Sequence, residues 1–544
     1  MNETPKNKSS RRISRALLIW LILFILIVFA QIAGLIVYIV KYPHDEHLFS
    51  LSVLAASFLI LGVVGASIPL CLLMLVRWLR SWRNLRRALI GLAILATLIA
   101  IFYTEEDWRG KRAWENCKRE LEAKGAVLDW DKYIPPPVPD DQNFFTAPKM
   151  QDWFVSINGA QHKNELHTLA TNAILVAVIT NKTAAADFIS WSDQFEPDFD
   201  LIREALKRPY ARMDGDYSIP YKIPIPNFVS TRALAQVLDQ RTKCYLMLNQ
   251  PEKALSEVTL LNDSRKFLEG APTGKPMTLV AAMVNVAVTG LYVNTIAYGL
   301  QKHTWQEPQL IALQEELKSV SLVPFVAEAL KAEQASVCHT AEIMNFREIN
   351  SGTGTPSHKT FWQKMENLKS YRYDLMPRGW VYQNMAVYAS LIQLPIDSFE
   401  PTDQAVSPQK IERAISNLLT SVDRHSLFGM LAAIGIPNFT KAMQTTAHTQ
   451  TLVNEAQIAC ALERYRLANG EYPETLDALA PQFIEKIPHD IIGGEPLIYR
   501  PTGDGKFLLY SVGWNETDDG GKESPHNQYG GITDYTQGDW VWKN

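Results

Sequence analysis

A chain of 544 residues with 47% hydrophobic and 20% charged residues is long enough for two or more folded units and too apolar to be disordered. Its formal charge of -4 hides an asymmetry: residues 1–15 carry +4, 41–49 carry -1 and 77–87 carry +5, which leaves -12 on residues 88–544. A body that acidic excludes nucleic-acid binding, which needs a basic footprint against phosphate.

Three hydrophobic runs open the chain. Residues 16–40 and 50–76 are uncharged and exceed the roughly 20 residues that cross a bilayer. A third, 88–103, rises about 24 Å as a helix, a little short of the hydrocarbon core. Arg86 and Arg87 can snorkel at one end, and Tyr103 and Trp108 suit the interface at the other. The alternative for this third run is a helix lying in the interface or buried against the first two, but mismatch of this size is cheap and spanning is favoured. The first run is too long for a signal-peptide core.

Lys6, Lys8, Arg11, Arg12 and Arg15 precede the first run, and Arg77, Arg80, Arg83, Arg86 and Arg87 separate the second from the third. The positive-inside rule makes both segments cytoplasmic, so three spans deliver everything after Tyr103 to the outer side. The expected location is a bacterial inner (cytoplasmic) membrane with the bulk of the chain extracytoplasmic. Five cysteines, at 71, 117, 244, 338 and 460, have no metal spacing. They read as single buried thiols or, in an oxidising compartment, as one or two disulfides.

Residues 104–150 read as a stalk. A charged helix over 105–124 ends at Gly125, and DWDKYIPPPVPDDQNFF, with prolines at 135, 136, 137 and 139, is held extended as a linker. Residues 151–425 read as a helical extracytoplasmic domain. Within it TRALAQVLDQRTKCYLMLNQPEKALSEVTLLNDSRKFL predicts two antiparallel helices broken at Asn249, Gln250 and Pro251, and further helices follow at about 276–300, 307–319 and 324–346. Through Tyr245, Ala254 and Leu255 the hairpin resembles one tetratricopeptide-type unit, although no 34-residue period recurs. Such helical surfaces suit protein partners.

Residues 426–544 change character. A long amphipathic helix is stopped by Asn469 and Gly470, and EPLIYRP and KFLLYSVGW alternate around PTGDGK as a hairpin. The helix ending ALERYRLANGEYP, the strand and loop YSVGWNETDDGG, the later GDWVW and the run LAAIGIPNF resemble the major pseudopilin of type II secretion and related type IV pilin modules. A pseudopilin carries its apolar helix at the extreme N-terminus, whereas here Asp423, Arg424 and His425 precede it deep in the chain. With its WRGKRAWENCKRELEAKG and IPPPVPDDQNFF segments, the full chain also resembles a group of bacterial envelope proteins of unknown function. The expected fold is therefore a membrane-anchored, mainly α protein: three transmembrane helices, a helical domain, and a C-terminal α+β module with a small antiparallel sheet.

The loop 515–521 has two readings. Gly520 and Gly521 let the backbone fold back so that carboxylates and carbonyls converge, as calcium requires in its shell of oxygens. Alternatively the aspartates accept hydrogen bonds from local amides and the loop is a turn. The corresponding pseudopilin loop binds calcium, and the resemblance implies Asp518, Asp519 and Asp539 as its ligands, with Asn515 and Asp534 as further donors. The spacing of an EF-hand is absent.

Little else points to chemistry. His339 and Glu342 lie three apart on one helical face, half of a metal site without a second half. Glu333 and Glu342 do not make a glycosidase pair, and no HExxH, GxSxG, Walker-type or GxGxxG motif occurs. Two function classes remain. The first is a non-enzymatic, inner-membrane-anchored envelope protein that presents a helical interaction domain and a pseudopilin-like module to envelope partners; the second is an envelope hydrolase with a scattered active site.

Overall fold

The structure, a computed structural model, describes residues 75–156, 181–269, 278–343, 376–398, 405–421, 430–503, 505–523 and 534–543, with a few single positions elsewhere. The hydrophobic runs 16–40 and 50–76 fall almost wholly outside these, so the expected three spans are not described as a set. The chain divides into two units, Met1–Glu105 and Glu106–Asn544.

In the first unit the described backbone is chiefly helix α1, Trp82–Ala123, which carries the third hydrophobic run and continues unbroken past its end. Its apolar window is wholly unburied, and Leu92 and Ile101 are 62% and 60% exposed. A helix of this length with so bare an apolar surface is able to cross a membrane. One other described helix, α6 below, passes the same test of length and composition, but more than half of its apolar window is buried within the fold.

The second unit is mainly helical. Helices α2 (Lys182–Ser192) and α3 (Glu196–Leu206) lead into the pair α4 (Phe228–Met247) and α5 (Pro251–Asp263). The pair forms where the sequence predicts it: Asn249 takes a φ of 58° to reverse the chain, and Pro251 occupies the first turn of α5, where no amide partner is needed. Helices α6 (Leu279–Gln301), α7 (Glu307–Lys318) and α8 (Leu322–Ile343) then match the expected segments. Thr278 caps α6 by accepting from the Ala281 amide, and a Gln306–Gln309 capping box opens α7. Helices α9 (Arg378–Ser398), α10 (Pro408–Ser421) and α11 (Met430–Asn469) complete the set.

The small sheet is antiparallel in the order β1 (Ile498–Pro501), β2 (Phe507–Ser511), β3 (Trp540–Val541). Tyr499 pairs with Leu509, and Ser511 with Trp540. Gly470, at φ 88°, ends α11 as expected.

Two expected boundaries do not fall between separate cores. Helix α11, assigned by sequence to a separate module over 426–544, is the spine of the second unit: it packs against α6, α7, α8 and α9 as well as β2. Val453, Ile458, Cys460 and Leu462 are all fully buried in the same cluster as Phe144, Leu234, Tyr292 and Trp540. The buried positions of α11, polar ones such as Thr446, Gln450 and Glu455 included, lie on nearly every side of the helix, and a small sheet covers only one. The stalk likewise belongs to the body. Trp114 and Leu121 of α1 are buried against Cys338, Val381 and Met385, and Trp130 is buried with its indole N–H donating to the Tyr217 carbonyl at 2.9 Å.

Helix α1 meets the first turn of α9 backbone to backbone. A Cβ on Gly110 would stand 2.0 Å from the Gly379 carbonyl oxygen, so only glycine fits. The contact is tied by Gly379 N–H to Asp107 Oδ1 at 2.7 Å and Trp380 Nε1–H to Glu106 Oε2 at 2.9 Å.

Candidate functional site

The C-terminal acidic loop is built at the end of β2. Gly513 has a φ of 69° and lies where a Cβ would meet the Gly538 carbonyl at 2.5 Å, so the chain turns there against the returning segment. Trp514 anchors the turn by donating from Nε1 to Glu412 at 2.9 Å, and Glu516 accepts from the Gln409 amide at the start of α10. These contacts place the acids.

Asp518 Oδ1 accepts from the Tyr510 hydroxyl at 3.0 Å and from the Gly520 amide at 2.9 Å. Asp519 Oδ2 accepts from Asn515 Nδ2 at 3.0 Å. Asp539, buried at 1% exposure, takes the Asp519 amide on Oδ1 at 3.1 Å and the Gly521 amide on Oδ2 at 2.6 Å. Four of the five expected residues, Asn515, Asp518, Asp519 and Asp539, thus converge. Asp534 instead accepts from the amide and hydroxyl of Thr536 in its own turn, which lowers its carboxyl pKa.

Burial pushes the Asp539 carboxyl up; the two amides pull it down, and the charges of Asp519 and Asp518 push it up again. Burial and the Asp518 hydrogen bond raise the Tyr510 phenol to about 12. The loop is hydrogen-bonded within itself, and the charges of Asp519 and Asp518 bear on the Asp539 carboxyl. Among the described residues no three His, Cys, Asp or Glu side chains group closely enough to hold a metal ion. At the other sequence candidate, Glu342 accepts from the Trp114 indole at 3.2 Å and so ties α8 to α1.

Two polar clusters went unnoticed in the sequence. Arg241, 1% exposed, donates to Ser192, Asp193, Glu196, Tyr245 and Glu257, and so ties the α2–α3 segment to α4 and α5. Burial raises the Glu257 carboxyl, and Arg241 opposes that shift. The sequence carries no clear cue to it, since α4 also holds Arg232, Asp239 and Lys243.

The second cluster lies on α11. Glu455 is fully buried, and among the described residues neither its carboxyl oxygens nor the Thr451 hydroxyl finds a hydrogen-bond partner. Burial, and then the charge of Asp490, raise Glu455 well above the carboxylate range. Asp490 itself is raised by burial to about 6 against the amides of Ile492 and Val512 and the Ser511 hydroxyl. Two turns earlier on the helix, His448 packs on Tyr535 and Trp540, and burial lowers it to about 4. A charged residue within the apolar run TLVNEAQIACAL was the visible sign.

The chain matches no protein-family model, no curated protein and no solved structure.

Proposed function

We propose that this chain is a non-enzymatic envelope protein of the bacterial inner membrane, whose extracytoplasmic body presents a helical surface and a pseudopilin-like C-terminal segment to protein partners. The observation that carries the reading is α1, in which one unbroken helix holds both the bare apolar segment and the segment packed against α9. An apolar surface of that extent has no stable place in water. The acidic body and the two arginine-rich segments near the N-terminus support the orientation.

Crosslinking in intact cells, followed by purification of the full-length protein, tests this. A stoichiometric envelope partner is expected; a partner-free protein that turns over an ester, amide or glycoside substrate would replace the reading with the hydrolase. For topology, alkaline phosphatase fused after Tyr103 should be active.

A second reading concerns the acidic loop. The convergence of Asp518 and Asp519 on the buried Asp539 carboxyl, which their charges push up, supports a role for calcium, which would offset that charge. Melting with calcium and with chelator tests that role.

A further inference from the structure

Helix α6 is apolar nearly all round: its buried side is mostly apolar, with Val286, Tyr292, Val293 and Ile296, and also holds Asn285, Thr289 and Thr295, where Thr289 Oγ1 donates to the Asn285 carbonyl at 2.9 Å and Thr295 Oγ1 to Asp239 at 2.6 Å. Its less buried side is aliphatic: Val280, Met283, Val284, Ala287 and Leu291 follow at helical spacing, and Val280 is 47% exposed. This stripe is concave rather than flat. Together with Phe228 and Ala235 of α4 and Ala442 of α11, it lines a groove of about 750 Å³.

That volume lies within the range of small-molecule sites, and the stripe from Val280 to Leu291 runs about 16 Å, comparable to an extended acyl chain. The wall is almost wholly unbranched or branched aliphatic, with one aromatic ring, which suits a flexible alkyl chain better than a flat ring system.

The polar groups of the groove are few. Glu333 accepts from the Leu279 amide at the start of α6, and burial, against that bond, raises its carboxyl and favours the uncharged form. Arg232 is exposed on the groove and has no carboxylate partner among the described residues. An apolar trough beside an uncompensated guanidinium is complementary to an alkyl chain ending in an anion.

We propose that the groove between α4 and α6 binds one long acyl chain of an anionic amphiphile, with the anionic head group paired to Arg232. Covering the stripe would remove from water the apolar side chains that are exposed among the described residues. This binding does not depend on the partner-presenting role proposed above.

The probe is a diazirine-bearing palmitate added to the full-length protein in nanodiscs and photolysed, with labelled peptides mapped by mass spectrometry. Labelling is expected within 228–236 and 279–291, competed by unlabelled palmitate. Val284→Trp, which fills the groove, should cut it by about tenfold or more, the effect of losing roughly one well-buried contact set. Ala287→Trp, at a more exposed point of the stripe, gives the same reading should Val284→Trp melt early. Arg232→Glu should weaken labelling by about two- to fivefold, as an exposed ion pair is screened. A diazirine-bearing long-chain amine should label more weakly than the acid. Labelling confined to residues 82–103, or unchanged in both tryptophan variants, overturns the site; equal labelling by the amine and the acid overturns the anionic head group.

Discussion

Replacing Gly110 by alanine puts a methyl carbon 2.0 Å from the Gly379 carbonyl oxygen, where real Cβ contacts essentially never fall below 3.0 Å. The neighbours are backbone, so no side chain can swing aside, and α1 must move from α9 by about 1 Å. A shift of that size breaks the bonds of Gly379 N–H to Asp107 and of the Trp380 indole to Glu106, now 2.7 and 2.9 Å long. Hydrogen bonds to charged groups contribute about 1.5–3 kcal/mol each, so the docking of α1 should weaken by about 3–5 kcal/mol. Cys338, 2% exposed and packed in the cluster that holds Trp114, reports the undocking. Peptide-resolved maleimide labelling of the protein in nanodiscs should find it reacting about a hundredfold to several thousandfold faster in Gly110→Ala. Gly91 supplies the internal control: it lies in the same helix with nothing within 4 Å of where an added methyl would stand, and alanine there should leave the rate unchanged. Wild-type labelling of Cys338 in Gly110→Ala would refute the close crossing.

Arg241→Ala leaves Glu257 buried with only the more distant Arg203, 3.9 Å away, and should cost about 3 kcal/mol in denaturant unfolding of the body, with little rescue by lysine, which cannot fork between Ser192 and Glu257. Glu455 holds its proton more tightly folded than unfolded, so its contribution is full at acid pH and is lost as pH rises through its raised pKa. Glu455→Gln should therefore gain on the wild type in melting temperature as pH rises above the ordinary glutamate range. His448 has the opposite sign: its folded pKa of about 4 means that stability falls as pH drops from the ordinary histidine range through that value, and His448→Phe should melt with a flatter acid limb. For the acidic loop, calcium should raise the melting temperature and Asp539→Ala should abolish the response; superimposable curves with calcium and chelator would leave the loop a turn.

Local features of the fold were legible in the sequence because local causes make them. Asn249 and Pro251 mark the α4–α5 turn, Gly470 ends α11, and PTGDGK joins the paired strands. What composition does not report is which surface meets which. The charged segment 105–124 reads as a solvated stalk, yet it places Trp114 and Leu121 seven residues apart, two turns along one side of the helix, and that stripe is the one buried. The prolines of 135–139 hold the chain extended as expected, but Trp130, Phe144 and Phe145 on either side pin it to the body. Likewise the acids of the loop 515–521 were visible, whereas the buried carboxyl of Glu455 depends on helices more than a hundred residues distant in sequence.

Helix α6 shows why hydropathy alone misplaces an element. By length and composition it passes for a membrane span, and by burial it is half core. Asn285, Thr289 and Thr295 point into the protein beside Val286 and Val293, while Val280 and Val284 line the groove. The inward threonines are tolerated because each hydroxyl reaches an acceptor one helical turn back or, for Thr295, Asp239 on α4. Met283, Val284 and Leu291 pack in part against the core, whereas Val280 and Ala287 stay exposed among the described residues. An aliphatic stripe on that side is thus best understood by what it touches beyond the fold, and the alkyl ligand argued for the groove supplies that contact.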